Sequence, residues 1–222
     1  MTAQKAAIIL AAGMGTRMRS ALPKVLHRVA GVAMLGHIID AARAAGVARI
    51  VVVTSPDGVA VRDYAVGQGA EAVIQDRQLG TGHAANCAAG ALAGFDGAVV
   101  VTYGDMPLVT GEIFVESFAA REKAGMALVA FQSQSHAYGR VIVGANGAVD
   151  RIVEYKDANE SERAVTLCNA GILVADAKSF FRWASQLKND NAQKEYYLTD
   201  IPSFAKADDV ACAVVNADEE TV

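Results

Sequence analysis

The chain lacks any apolar run approaching the ~20 residues that cross a bilayer, and its N-terminus carries no charged segment followed by a cleavable apolar one. It is therefore expected to be neither inserted nor exported, and to work in the cytoplasm. Cysteine is scarce: Cys87, Cys168 and Cys212 are far apart and odd in number, which suits neither a disulfide framework nor the CxxC spacing of a zinc site. The scattered His27, His37, His83 and His136 offer no metal-ligand spacing and no Cys/His nucleophile pair. A dominant charge is lacking too. The 20 Lys and Arg against 24 Asp and Glu leave a formal charge of -4, which gives no general attraction to nucleic acid or an anionic membrane. No repeat, low-complexity tract or linker interrupts the chain.

What is present is ordinary globular material, 222 residues with 53% hydrophobic and 20% charged, read as a single domain over residues 1–222. Short β-branched runs recur with helical patterns between them: "AAIIL", "RIVVVT", "EAVIQ", "GAVVVTY", "MALVAFQ", "RVIVG" and "GILVA". That alternation predicts an α/β fold with a mostly parallel sheet. Met34, Leu35, Ile38, Ile39 and Ala42 share one helical face, with Gly46 as the stop. Ile113, Phe114 and Phe118 do the same for a helix opened by Thr110. From about Tyr138 to Ile172 the strands crowd together, which predicts an antiparallel section or a mixed sheet.

Three stretches carry chemistry. "LAAGMGTRM" (10–18) follows the first strand, at the edge where open α/β sheets bind ligands. Gly13 and Gly15 allow a sharp turn that aims backbone N–H groups at an anion, and Arg17 adds a cationic fork. Pro23 and Lys24 lie close enough to bring a second cation. The stretch is neither a GxGxxG fingerprint, since Met18 stands at the third glycine, nor a Walker A loop. Taken alone, a glycine-rich turn there is equally a structural turn. In "VVVTYGDMPL", Asp105 falls at a strand's carboxyl end and suggests Mg²⁺, although an N-cap or turn aspartate fits the same place. In "QDRQLGTGHA" (75–84), Gln75 offers the donor and acceptor needed to read a base edge, and Gly80 and Gly82 permit close approach. Thr81 has a simpler role open to it, as the start of a helix through "HAANCAAGALA".

Together with "PKVLH", "YGRVIV", "VEYKDA", "NAGILV" and "NAQKEYYLTD", these stretches resemble the sugar nucleotidyltransferase (MobA-like NTP transferase) family along nearly the whole chain. "QLGTGHA" and "NAQKEYYLTD" are similar to its N-acetylglucosamine-1-phosphate uridylyltransferases. The resemblance implies a Rossmann-like three-layer αβα fold of the nucleotide-diphospho-sugar transferase type. It implies uridylyl transfer from UTP to N-acetylglucosamine 1-phosphate, giving UDP-N-acetylglucosamine for cell-wall precursors. It implies Arg17, Lys24 and Asp105 as the catalytic group, with Asp105 as Mg²⁺ ligand. Leu10, Ala11, Ala12, Gly13, Gly15, Thr16, Gln75, Gly80 and Thr81 would hold the nucleotide, and Tyr103, Gly104, Gly139, Glu154 and Asn169 the sugar.

The sequence departs from the family at Met14, usually lysine, at Lys194, usually glycine, and at Tyr155, frequently histidine. At Val222 the family would continue into a Gly-Val-Asn segment whose asparagine is the other magnesium ligand, and then into a left-handed β-helix acetyltransferase domain. Weak magnesium binding and a monomer are therefore expected. Another sugar phosphate, such as N-acetylmuramic acid 1-phosphate, a different pyrimidine nucleotide, or a nucleotide-sugar binding module of little catalytic power are the alternatives. A Rossmann oxidoreductase is disfavoured by the missing fingerprint glycine. Joining a sugar 1-phosphate to a nucleotide needs cations to offset anionic repulsion and no general base, consistent with a chain that shows no triad.

Overall fold

The computed structural model describes residues 4–13, 15 and 18–222. Strand β1 (Gln4–Leu10) leads through a small ribbon, β2 (Arg28–Val29) and β3 (Val32–Ala33), into helix α1 (Met34–Ala44). The alternation continues with β4 (Arg49–Thr54), α2 (Val59–Gly67), β5 (Glu71–Ile74), α3 (Thr81–Asn86), β6 (Gly97–Tyr103) and α4 (Gly111–Ala124). Then β7 (Gly125–Gln132), β8 (Arg140–Val143) and β9 (Val149–Val153) follow in close succession. The chain ends in α5 (Glu160–Arg163), β10 (Leu167–Asp176), α6 (Ala177–Ala184), α7 (Ile201–Ala207) and β11 (Ala211–Asn216).

The main sheet runs β11-β7-β10-β6-β1-β4-β5, with β8 attached to β10 and β9 to β8. β1 pairs in parallel with β4 and β6, as does β4 with β5 and β11 with β7; β10 runs antiparallel to β6 and β7. The expected mixed, mostly parallel sheet is therefore present, and the crowding from Tyr138 to Ile172 is an antiparallel section in which β8 lies between β9 and β10. Because β10 is reversed, its amino end reaches the rim where β1 and β6 end. That reversal is what lets Asn169 share a rim with Leu10 and Tyr103.

Burial on both faces explains the unbroken apolar strands. Along β1, Ala6, Ile8 and Leu10 face one core with the buried residues of α3, α6 and α7, while Ala7 and Ile9 face the other with α1 and α4. The period of two along the strand thus builds three layers. In α1 all five residues of the expected face are buried, and Gly46 turns the chain out at φ 78. Thr110 stands at the N-cap of α4, with Phe114 and Phe118 buried below it.

Four strands are not visible as strands in the sequence: the two-residue β2 and β3 of the small ribbon, and β9 and β11 of the main sheet. In "VDRIV" charged residues interrupt the apolar positions, and "ACAVVN" is a short edge strand completed only by its parallel pairing with β7. The helix expected through "HAANCAAGALA" is also shorter than its composition suggests. α3 ends at Asn86, tightens into a 3-10 turn over Cys87–Ala89, and gives way before Gly94, whose φ of 71 redirects the chain into β6. Glycine in a helix interior costs about 1 kcal/mol relative to alanine, so Gly90 and Gly94 favour the break.

Candidate active site

Two clefts open at the rim formed by β1, β6 and the start of β10, and they share a wall. The first, about 310 Å³, is bounded by Leu10, Ala11, Ala12, Gly13 and Gly15 after β1, by Gln75, Gly80 and Thr81 before and at α3, and by Lys24, Tyr103 and Asp105. The second, about 410 Å³, is bounded by Gly139, Glu154 and Asn169 and again by Lys24, Tyr103 and Asp105. Of the residues expected to hold nucleotide and sugar, the described ones thus assemble at one crevice, with a single exception. Gly104 lines neither cleft: its N–H donates to Leu10 O at 2.9 Å, and it packs against the first loop from behind. Thr16 and Arg17 lie outside the described residues.

The shared wall is ionic. Lys24 Nζ donates to Asp105 Oδ2 at 2.5 Å, with the two side chains 37% and 30% exposed. Lys24 reaches the rim because the chain turns tightly at Gly15, whose φ is +57; a Cβ there would sit 2.8 Å from Lys24 Cβ. An L side chain is strained in that region, so glycine is required by both backbone and neighbour. Gly13 has no such need. A Cβ at Gly13 would meet nothing within 4 Å, so the sharp turn expected of both glycines belongs to Gly15 alone.

Beside the ion pair stands Tyr103. Burial foremost, then the Glu154 charge, pushes its phenol up to about 12, against a lowering hydrogen bond with Thr81; Asp105 adds a further upward push. The phenol therefore stays protonated across the physiological range and keeps a donor between the clefts. Glu154 accepts from Thr199 Oγ1 at 3.1 Å, and burial raises its carboxyl above the usual range although that hydrogen bond opposes the shift. The Asn169 backbone N–H donates to Gly139 O at 2.9 Å, and its Oδ1 accepts from Gly171 N at 3.1 Å. The side-chain amide of Asn169 is held by this turn.

The motif around α3 is fastened to "NAQKEYYLTD". Gly82 N donates to Tyr196 O, Tyr196 N to Leu79 O, and Leu198 N to Thr81 Oγ1 at 3.1 Å. Thr81 is the first residue of α3, after an N-cap at Gly80, and makes no side-chain cap; its hydroxyl ties two distant segments instead. Gly80, at φ +108, would place a Cβ 2.6 Å from Tyr196 O, so the close approach demands glycine. Asn191 grips the neighbouring backbone, its Oδ1 accepting from Glu195 N and its Nδ2 donating to Glu195 O. Lys194 occupies a left-handed conformation, φ 58, a region that favours glycine, which is the residue the resemblance implied for that place.

Gln78 was not singled out by sequence. Its Nε2 donates to Ala12 O at 2.6 Å, bridging the two loops that flank the first cleft, which Glu195 also lines. A second carboxamide three residues after Gln75 is a signal, but only the fold reveals its partner. No group of three or more His, Cys, Asp or Glu that could hold a metal occurs among the described residues.

A cleft between glycine-rich loops, walled by a lysine-aspartate pair at strand ends, is built to receive phosphate groups. The model of the MobA-like NTP transferase domain matches residues 7–175, and the chain belongs to that family. It is 46% identical to the bifunctional protein GlmU of Maricaulis maris, an alignment covering all of this chain and 50% of that protein. It is 45% identical to GlmU of Rhodospirillum rubrum, over 97% of this chain and 48% of the relative. The chain therefore spans about half the length of the curated relatives it matches. A crystal structure of UDP-glucose pyrophosphorylase complexed with UDP-glucose superposes with a TM-score of 0.77 at 17% identity, covering 97% of this chain and 90% of that one. That likeness bears on the fold, a mixed and mostly parallel Rossmann-like sheet.

Proposed function

We propose that this chain transfers the uridylyl group of UTP to N-acetylglucosamine 1-phosphate, giving UDP-N-acetylglucosamine and pyrophosphate. One observation carries the reading: two clefts, one bounded by the glycine-rich loops and one by Glu154 and Asn169, meet at Lys24, Tyr103 and Asp105. Two substrates bound in such clefts present their phosphates to each other at that wall. The roughly half-length match to GlmU supports the choice of nucleotide and sugar.

Two unit charges ~4 Å apart repel by about 4 kcal/mol at an effective dielectric near 20. Lys24 offsets that repulsion where the substrates meet, and the positive charge of Arg17, close by in the sequence, would offset more of it. Glu154 and Asn169 orient the sugar by accepting from and donating to its hydroxyls. Tyr103 contributes its phenolic proton at the junction. The sugar phosphate is ionised at neutral pH, so the attacking oxygen needs no base, and positioning with charge neutralisation supplies the rate.

A divalent ion fits here in one specific way. A lone carboxylate at a strand end, with no protein cage among the described residues, suits Mg²⁺, which binds through one or two carboxylates and completes its shell with water and substrate phosphate. Asp105 would hold it, and it would supply further neutralisation of phosphate charge. The test is pyrophosphate release from UTP, N-acetylglucosamine 1-phosphate and Mg²⁺. Binding of UDP-N-acetylglucosamine without release would refute transfer and leave a binding module.

A further inference from the structure

We infer that His83 is the positioning residue that makes the first cleft select uracil over cytosine, by locking the side-chain amide of Gln75 in one orientation. The inference rests on the reading of that cleft as the nucleotide site and goes further, to the atom that discriminates the base.

Gln75 follows β5, is only 3% exposed and lines the cleft. Its Nε2 lies 3.1 Å from Gly80 O and 3.0 Å from His83 Nδ1. A backbone carbonyl can only accept, so the amide nitrogen, not the oxygen, faces Gly80. The second amide proton then goes to His83 Nδ1, which places the ring proton on Nε2. With both protons committed, Gln75 can offer the cleft only an acceptor, Oε1. Gln75 lines the cleft, and with Nε2 engaged by Gly80 and His83, Oε1 is the polar atom its amide has left to present there.

A lone acceptor there pairs with the N3–H of uracil and opposes the N3 lone pair of cytosine. To accept cytosine the amide must rotate by 180°, which aims Oε1 at Gly80 O, a carbonyl that can only accept, and keeps the His83 contact only if the ring proton moves from Nε2 to Nδ1. Each lost hydrogen bond in such a buried site is costly, because the polar group left behind has no water to turn to. His83 is itself held. It sits in the first turn of α3, its ring centroid 6.2 Å from that of Tyr196, whose carbonyl accepts from Gly82 N at 2.8 Å.

The experiment compares equilibrium binding of UMP and CMP to the parent chain, His83→Phe and His83→Asn by titration calorimetry, with thermal melts to confirm folding. Phenylalanine keeps a ring but no acceptor; asparagine places an oxygen near the Nδ1 position. The parent is expected to prefer UMP by about 10²-fold. His83→Phe should shrink that preference about tenfold, chiefly by weakening UMP, and His83→Asn should keep it within about threefold. His83→Leu repeats the acceptor deletion should Phe disturb the packing against Tyr196. An unchanged UMP-to-CMP ratio in the acceptor-less variants, or equal losses for both nucleotides, overturns the inference. Pyrophosphate release by the parent is measured separately: selective UMP binding without release refutes uridylyl transfer while the ratio still decides the role of His83.

Discussion

Replacing Lys24 with methionine keeps the aliphatic stem and removes one charge from the wall between the clefts. Lys24 and Asp105 are each about a third exposed, so the full interaction of about 4 kcal/mol for a charge ~4 Å from a phosphate oxygen is screened toward about 2 kcal/mol. At 1.36 kcal/mol per decade this range corresponds to about 30- to 10³-fold. The loss should fall mainly on kcat, because the charge matters most as it builds on the bridging and leaving oxygens. Folding should barely change, since a partly exposed ion pair contributes at most about 1 kcal/mol to stability. The assay is continuous pyrophosphate release at saturating UTP and N-acetylglucosamine 1-phosphate, beside a thermal melt. Turnover within threefold of the parent, or a loss confined to KM, would refute the placement of Lys24 at the reacting phosphates.

Lys194→Gly should raise stability by about 1 kcal/mol, or about 2–4 °C in Tm, by relieving the left-handed backbone at φ 58; an unchanged or lower Tm would contradict the strain. Removing divalent ions with a chelator should abolish pyrophosphate release and leave the melting temperature within about 1 °C, since a lone carboxylate backed by no cage adds little to folding. Loss of fold on chelation would show a structural metal. Asp200 has its carboxyl pushed up to about 6, by burial first and then by the charges of Glu154 and Asp157. Its folded pKa thus lies above the unfolded value near 3.8, so the folded state binds the extra proton and Asp200 becomes less favourable to folding as pH rises from about 4 to about 6. Asp200→Asn should therefore gain Tm relative to the parent at pH 7.5 and lose that advantage at pH 4; a difference independent of pH would refute the shift.

Much of this molecule was legible along the chain because the relevant interactions are local. The continuous apolar runs of β1, β4 and β6 announce strands buried on both faces, and the spacing from Met34 to Ala42 announces a helix with one core-facing side. Gly15 and Asp105, at strand ends, could be placed at the binding edge because parallel strands bring their carboxyl ends together. Residues that act through distant partners were not legible. Gln78 needs Ala12, 66 positions away, and Thr81 looks like a helix-start residue until Leu198, 117 positions on, donates to its hydroxyl. Gly104, between Tyr103 and Asp105, is packed against Ile9 and Ala11, with its N–H donating to Leu10 O.

The amino-acid order by itself determined the α/β class, the inner strands β1, β4, β6, β7 and β10 of the main sheet and the glycine-bearing loops that follow its strands, since hydrophobic period and glycine placement act within a few residues. Only the tertiary structure decided that two clefts share one ionic wall, that β10 runs backwards to bring Asn169 to it, and that His83 faces Gln75. Those outcomes depend on which segments become neighbours when both faces of the sheet are buried, and that packing is a property of the whole chain rather than of any window along it.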